Sequence, residues 1–512
     1  MPVSAEIDNY CTLVTKNDRP VLNLKVYRIS KFLFTVFLAQ LALNEVLLAD
    51  PVYHPSGPRL TFGGMTHRAL SVSDMGNPAH AAIDPLEDSD GGRYALGLSI
   101  GVGIEYDAND RLWERLDETG EDDALAPGGG DGDDESGESG PTIPDITNPD
   151  LIALIEEIEK KAAPLAVAVA ASVTGLNAKA FTSADIPVLI SNDALGGSWT
   201  FNVNSSVTTN ITGLNEPLEF DSAVALQELE RAYRLSNLKT GLAREPETFD
   251  LSGGLAVTIN PDGSTEFSFS NNSGTITRAA HITELGVGYS RKIWTQKNND
   301  LYIGIKPKFY RVGLSDEYLF LANIENAKSI FDALDKESFD YTEKLSLDIG
   351  AIWTGKQYQL GLTLTNINEP DFQYPGFDLG DIDNPEIVDL ILRDRTYTME
   401  RQLKLEGGYI SKSGAWGINA GIDLNAVPDP MFDDYQWISL GAGFASDNWW
   451  LPGARIGVRT NLAGSEFTYL TAGVTVFNII NLDLATTTET ITVDGDKVPQ
   501  GLIVNLGFQY RF

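Results

Sequence analysis

Apolar and polar residues alternate through most of this chain, and the stretch GLIVNLGFQYRF shows the pattern most clearly. Read in steps of two, Leu502, Val504, Leu506, Phe508, Tyr510 and Phe512 fall on one side, and Ile503, Asn505, Gly507, Gln509 and Arg511 on the other. That is a strand with one apolar face. In ALGLSIGVGIEY the residues Leu96, Leu98, Ile100, Val102, Ile104 and Tyr106 alternate with Gly97, Ser99, Gly101, Gly103 and Glu105. Further strands are predicted over 199–211, 251–259, 264–277, 282–294, 301–314, 345–353, 358–367, 402–411, 416–424, 436–445, 454–462, 468–477 and 480–491. Most run about 9 to 14 residues, whereas strands of soluble proteins average roughly 5 to 6 and a tilted strand crossing a bilayer needs roughly 9 to 11. A terminal strand left at a sheet edge would expose its apolar face or its backbone groups. Only a closed barrel satisfies all those groups in hydrocarbon. The pattern therefore predicts an all-β fold, an antiparallel transmembrane β-barrel: with 95–107 and the last strand it gives about 15 candidate strands, of which one or two could split or merge, within a range of roughly 12 to 16.

Other segments break the alternation. Residues 32–43 (FLFTVFLAQLAL) follow Lys25, Arg28 and Lys31, the arrangement of a secretory signal with cleavage after Ala49. Residues 1–49 are read as that signal with an upstream extension, translation starting nearer Leu24. From Asp50 to 94 the prolines exclude long elements, so this stretch is expected to form a plug, and the barrel to occupy 95–512. Acidic and helical insertions are expected at about 108–190 and 214–248. The first holds DETGEDDALAPGGGDGDDESGESGP, too polar to order itself, and a helix opening at Pro149. The second holds a helix over 222–242, with Val224, Leu226, Leu229 and Tyr233 at helical spacing. Tyr289, Trp294, Tyr310, Trp353, Tyr358, Tyr409, Trp416, Trp437, Trp449 and Trp450 stand near strand ends, where barrels place aromatic girdles. A soluble propeller would show a repeat of about 40 to 50 residues, and none is visible.

Charge narrows the function. The 72 acidic against 37 basic side chains give a net charge of −35, which argues against phosphate neutralisation and nucleic-acid partners. The lone Cys11 excludes an intrachain disulfide and a cysteine metal cage. No run reaches the 18 or more apolar residues of a spanning helix.

The segments YHPSGPRLTFGGMTHRALSVSDMGNPAHAA (53–82), ITELGVGYSRKIW (282–294), LYIGIKPKFYRVGLS (301–315), LDIGAIWTGKQYQLGLTLTNINEPDFQYP (347–375) and RIGVRTNLAGSEFTYLTAGVTVF (455–477) resemble the conjugal transfer TraF-type outer-membrane protein family, related to long-chain fatty acid transporters of the FadL type. Asn77, Pro78 and Ala79 match the NPA plug motif of the wider group. The thioredoxin-like protein sharing the TraF label is a different molecule, and no C-x-x-C occurs here. The resemblance implies a Gram-negative outer-membrane barrel of about 14 strands, plugged at its N-terminus, that takes up hydrophobic molecules. The two insertions depart from it, and no lateral-opening kink is recognisable.

Candidate chemistry is sparse. Glu284, Lys306, Lys308, Arg311, Lys404, Glu406, Arg455 and Arg459 alternate with apolar neighbours and are expected to face the lumen, pairing with one another or setting solute preference. Phe508, Tyr510 and Phe512 resemble the C-terminal signal read by the barrel-insertion machinery. His281 and Thr283 share a strand face as a nucleophile pair would, but an ordinary histidine is the better reading and no catalysis is expected. His54, His67 and His80 match no metal spacing and are expected to be solvated. Asn366 and Asn368 are expected to cap a rigid turn at Glu369 and Pro370. The chain is thus read as an outer-membrane barrel embedded in lipid that binds or passes a small amphipathic ligand without a cofactor; the other reading is an envelope or conjugation-associated surface protein binding a partner through its insertions. Mass spectrometry of the mature protein should find Asp50 at the N-terminus; an intact Met1 would contradict the signal.

Overall fold

The computed structural model describes residues 57–64, 76–83, 93–106, 177–192, 196–214, part of 224–231, 246–250, 255–259, 265–269, 273–320, 339–376, 382, 384–446, 448–493 and 496–511. Fourteen strands close into one antiparallel barrel. They are β1 (Arg93–Tyr106), β2 (Asn177–Asn192), β3 (Gly197–Leu214), β4 (Gly274–Gln296), β5 (Asn299–Phe320), β6 (Asp340–Thr354) and β7 (Tyr358–Thr365), followed by β8 (Gln402–Ile410), β9 (Trp416–Asp423), β10 (Trp437–Phe444), β11 (Gly453–Asn461), β12 (Thr468–Val476), β13 (Ile480–Thr487) and β14 (Gly501–Arg511). Each pairs with its sequence neighbour, and β14 returns to β1 in a register running from Ala95↔Arg511 to Glu105↔Gly501. Short connections gather at the end where β1 begins and β14 finishes, here the turn end. The long connections emerge at the other, the loop end. Among the described residues no helix is long and apolar enough to cross a membrane; this barrel would cross with strands.

Alternation decides which side each residue takes. Leu96, Leu98, Ile100, Leu285, Ile305, Leu360, Leu440, Ile456, Leu506, Phe508 and Tyr510 stand exposed on the outer surface. Their neighbours Ser99, Glu284, Asn419, Arg455, Asp483, Asn505 and Gln509 are buried inside. A soluble fold reverses this arrangement, so the outer band requires an apolar surrounding. Aromatic contacts ring the turn end: Trp199 lies 4.9 Å from Tyr289, Trp353 6.2 Å from Tyr358 and Trp416 5.0 Å from Phe444, between ring centroids.

Several expected boundaries change. Residues 177–192, read as the end of an insertion, form β2, whose Ala, Thr and Ser content hides the alternation. Residues 255–259 and 265–269, read as wall strands, join 247–250 in a separate three-stranded sheet. The end of the 264–277 prediction merges into β4, which runs for 23 residues. Two candidates leave the barrel and one enters, which brings 15 to 14. Tyr310 and Trp437, placed in the girdle by proximity to strand ends, are buried, because their parity matches the inner face. The helix opening at Pro149 lies outside the described residues. Residues 224, 225, 227–229 and 231 are helical, with Ala225 and Leu229 buried. A helix not foreseen, Pro385–Leu392, packs Ile387 and Ile391 against Ile276 and Tyr318 at the loop end.

The apolar outer band makes a direct prediction. Leu506→Arg, at the middle of β14's outer face, should destabilise the folded barrel by about 2–4 kcal/mol in urea unfolding from vesicles, as arginine does at a bilayer midplane. An ordinary solvent-exposed position would change by less than about 0.5 kcal/mol.

Candidate functional site

Two pieces of the N-terminal segment lie against the inner wall. Asn77 donates from Nδ2 to the backbone carbonyls of Leu362 (3.1 Å) and Ala351 (3.4 Å), opposite residues on β7 and β6. Its Oδ1 accepts the Ala79 N–H at 2.9 Å, which fixes the turn leading into the 3₁₀ segment His80–Ala82. The motif fits because the wall is glycine there. A Cβ at Gly350 would overlap Asn77, one at Gly304 would overlap Pro78, and Gly361 would bring one to 3.4 Å from Asn77 Nδ2. These glycines permit close backbone approach rather than turning.

The other piece, the short helix α1 (Arg59–Phe62), meets β8 to β13. Thr61 Oγ1 donates to Asp483 Oδ1 at 2.6 Å, and Asn419 Nδ2 donates to the Phe62 carbonyl at 2.8 Å. The Gly64 N–H donates to Glu406 Oε1 at 3.1 Å. Gly441 and Gly457 again leave room, since a Cβ on either would meet Thr61.

Wall charges are paired on the same plan. Arg455 bonds both Asp483 oxygens, at 3.1 and 3.0 Å, and also reaches Thr61 Oγ1 at 3.3 Å and Thr475. Lys306 pairs with Glu284 at 2.8 Å, with Asn202 donating to the same carboxylate. Lys308 pairs with Asp348 at 2.7 Å and donates to Asn366 Oδ1 at 2.8 Å. Lys404 stands 3.8 Å from Asp423. Paired, such groups contribute little net stability; removing one partner strands the other.

Toward the loop end the interior becomes apolar and aromatic. Phe181, Tyr310, Val312, Phe372, Tyr374, Tyr397, Trp437, Phe467 and Tyr469 share one buried cluster with Val427, Met431 and Tyr435 of the β9–β10 connection. That connection is a hairpin, 427–428 against 434–435, folded inward and latched. Lys179 of β2 donates to Asp429 at 2.7 Å, to Asp433, and to the Tyr435 hydroxyl at 3.0 Å. Tyr435 in turn donates to Glu105 of β1 at 3.1 Å, and Tyr469 of β12 donates to the other oxygen of Glu105. Asp429 also accepts the N–H groups of Met431 (2.8 Å) and Asp433 (3.0 Å), which shapes the hairpin. Tyr374 holds it from the far side through the Pro430 carbonyl at 2.6 Å.

One place in the wall gives up its ladder. β1 and β2 pair at Leu96↔Val188 and again from Ser99↔Asp185, but Gly97 and Leu98 have no β2 partners opposite Ile186 and Pro187. Pro187 still pairs with Asn202 of β3, so its missing N–H faces β1. A shallow pocket lies at this gap, lined by Pro58, Asp185, Pro187 and Asn481 together with Leu98 and Phe508, whose side chains are exposed on the outer surface.

Arg311 was expected in the lumen and faces outward instead, its guanidinium 4.4 Å from the Tyr341 ring centroid. The reason is parity: 306 and 308 share a face that 311 does not. His281 also faces outward. Its partner is Ser205 Oγ at Nε2 (2.9 Å) rather than Thr283, and Nδ1 meets the Tyr341 hydroxyl at 3.0 Å. Ser205 is only 3 % exposed, too enclosed to attack a substrate. His80, expected in solvent, is 4 % exposed because its 3₁₀ turn packs on β2 to β5. His54, His67 and Phe512 lie outside the described residues. Asn368 donates to the Leu345 carbonyl at 2.8 Å, while Asn366 turns inward to Lys308. Glu369 has φ 47° and is held by Arg401, whose guanidinium keeps its carboxyl below the ordinary range. Among the described residues no group of His, Cys, Asp or Glu could hold a metal. The latch was missed because Lys179 fell within a predicted insertion; the dense acids and aromatics of DPMFDDY (429–435) were the available signal.

Residues 74–423, more than half of the chain, match the family described as "F plasmid transfer operon, TraF, protein". The chain belongs to this family. A comparison with curated proteins finds no match. Among solved structures, this TraF-family protein is similar to the Pseudomonas putida toluene transporter TodX, at 9 % identity over 91 % of this chain and 99 % of that one, TM-score 0.36. It is also similar to a Pseudomonas aeruginosa FadL homologue, at 12 % identity, 91 % and 99 % coverage and TM-score 0.31. A mutant Rh. blastica porin follows at 9 % identity, 82 % and 100 % coverage and TM-score 0.23.

The glycine cradle is testable. Gly350→Val should push Asn77 off the wall, at a cost of about 1–3 kcal/mol for overpacking. Limited proteolysis should then cut near residue 77 faster than in the wild type, with the boiled-versus-unheated gel shift of the barrel retained.

Proposed function

We propose that this TraF-family barrel resides in the outer membrane of a Gram-negative bacterium and passes a small hydrophobic or amphipathic solute, without catalysis. The apolar, aromatic interior beneath the latched hairpin carries this reading. A pore for ions or sugars keeps a polar, hydrated lumen, whereas here the loop half is lined by Phe181, Phe372, Tyr397, Trp437 and Phe467. A greasy solute gains there what it loses on leaving water.

The route follows from the same geometry. The latch of Lys179, Asp429 and Asp433 closes the loop end, and the N-terminal segment crosses the turn half between Gly350 and Asp483. A solute admitted by the hairpin meets charged, paired walls below. The gap beside Pro187 offers an apolar exit, because Leu98 and Phe508 border it on the outer face. The competing reading is a surface protein that binds a partner at the loop end, where Leu390 and Leu392 of the helix Pro385–Leu392 are exposed.

Purified protein in liposomes tests the proposal. Entry of a naphthalene-class probe should saturate with concentration. Lys179→Met, which leaves Asp429 and Asp433 without their cation, should raise entry several-fold, and Asn77→Ala should alter it by loosening the N-terminal segment. Vesicles that stay impermeable with the wild type and with Lys179→Met would overturn the transport reading.

A further inference from the structure

Among the described residues, a buried charge in the loop half has no ion-pair partner. Arg459 of β11 is 5 % exposed, its guanidinium carbon 3.9 Å from the Trp437 ring centroid. Its Nε is buried without a hydrogen-bond acceptor, and among the described residues no ion pair reaches it. Arg455, four residues earlier on the same face, spends its guanidinium on Asp483, Thr61 and Thr475.

The nearby carboxylates are committed elsewhere. Asp423 accepts Gln402 Nε2 at 3.2 Å and the Trp437 N–H at 3.0 Å and faces Lys404, while Glu105 accepts the hydroxyls of Tyr435 and Tyr469. Retaining an unpaired guanidinium inside a protein is costly, and such a group calls for an explanation. One face of the guanidinium lies on the Trp437 ring, so its N–H edge is what remains for a planar oxyanion, which arginine binds with two parallel bonds.

We propose that Arg459 is the head-group anchor of a binding site for aromatic monocarboxylates, occupied when the 427–435 hairpin moves away. The proposal rests on the transport reading and specifies its solute. The aromatic preference comes from the walls that remain: Trp437 of β10 lies 6.1 Å from Tyr469 of β12, and Tyr435, stacked on Trp437 at 5.8 Å with planes 29° apart in the latched state, marks the place a ligand ring takes when the hairpin leaves. Rings offer a rigid planar solute stacking contact with little ordering entropy, an advantage that a flexible alkyl chain loses. The hairpin residues Met431 and Tyr435, buried in the same cluster, fill that space in the latched state.

The experiment uses the full-length protein in neutral-lipid nanodiscs and three probes: 2-naphthoate, its uncharged isostere 2-methylnaphthalene, and decanoate. Wild type should bind 2-naphthoate at least about tenfold more tightly than 2-methylnaphthalene, the margin expected of one charge-assisted head group. Arg459→Gln should erase that margin by bringing 2-naphthoate down to the affinity of 2-methylnaphthalene, and Arg459→Lys, which keeps the charge without the fork, should retain part of it. Decanoate should bind more weakly than 2-naphthoate. Equal wild-type affinity for the two naphthalenes, a margin that survives Arg459→Gln, or decanoate binding as tightly as 2-naphthoate would overturn the proposal. Should Arg459→Gln fail to insert, the wild-type margin and Arg459→Lys decide. Binding of 2-methylnaphthalene without the margin leaves the transport reading standing; binding of neither naphthalene removes both.

Discussion

Closure of the wall is the constraint on which the rest of the molecule depends. A strand whose outer face touches hydrocarbon cannot turn to water for its backbone hydrogen bonds, so every N–H and C=O must find a neighbouring strand. The pairing of β14 with both β13 and β1 meets that need. Once the wall is closed, alternation leaves no choice of side. Leu502, Leu506 and Phe508 must point out, and Asn505 and Gln509, one residue away, must point in.

The inward set then poses its own problem, because buried polar groups need partners. The barrel solves it differently at its two ends. In the turn half, charges of opposite sign meet along the inner wall, Lys306 with Glu284 on adjacent strands and Arg455 with Asp483 across the intervening β12, and the N-terminal segment supplies further donors and acceptors. In the loop half the inner face carries Tyr310, Trp437 and Tyr469, and polar contacts concentrate in a few residues around Lys179 and Glu105. Separating a latch from an apolar interior allows the hairpin to be released without dismantling the wall.

The strand pattern, the closing role of the last strand and the position of the NPA segment were legible because each depends on local alternation or on a short motif. The expected barrel of about 14 strands is the one observed, while the 15 candidate segments reach it through two departures and one addition. β2 was invisible because its faces are both small and polar, as in AKAFTSAD, and the sheet of 247–269 mimicked wall strands because it obeys the same period. Arg311 could have been placed correctly by counting from Lys306 and Lys308. The partners of Lys179 could not, since Asp429 and Asp433 stand 250 and 254 residues away, and no periodicity carries information across that distance. The same holds for Ser205 and His281, which β3 and β4 bring together.

Prolines show where closure can be relaxed. Pro187 and Pro307 both interrupt pairing on one side only: β1 skips its contacts beside Pro187, and β4 skips Val287 and Gly288 beside Pro307. In hydrocarbon a lost ladder bond is expensive, so its placement needs support from within. Pro187 has it, for Pro58 of the N-terminal segment lines the gap together with Asp185 and Asn481. The docking that seats α1 on Asp483 therefore also backs this gap in the wall. The glycines that admit the segment, Gly441 and Gly457 among them, are part of that support, because a Cβ on either would meet Thr61 and hold α1 and Pro58 off the wall.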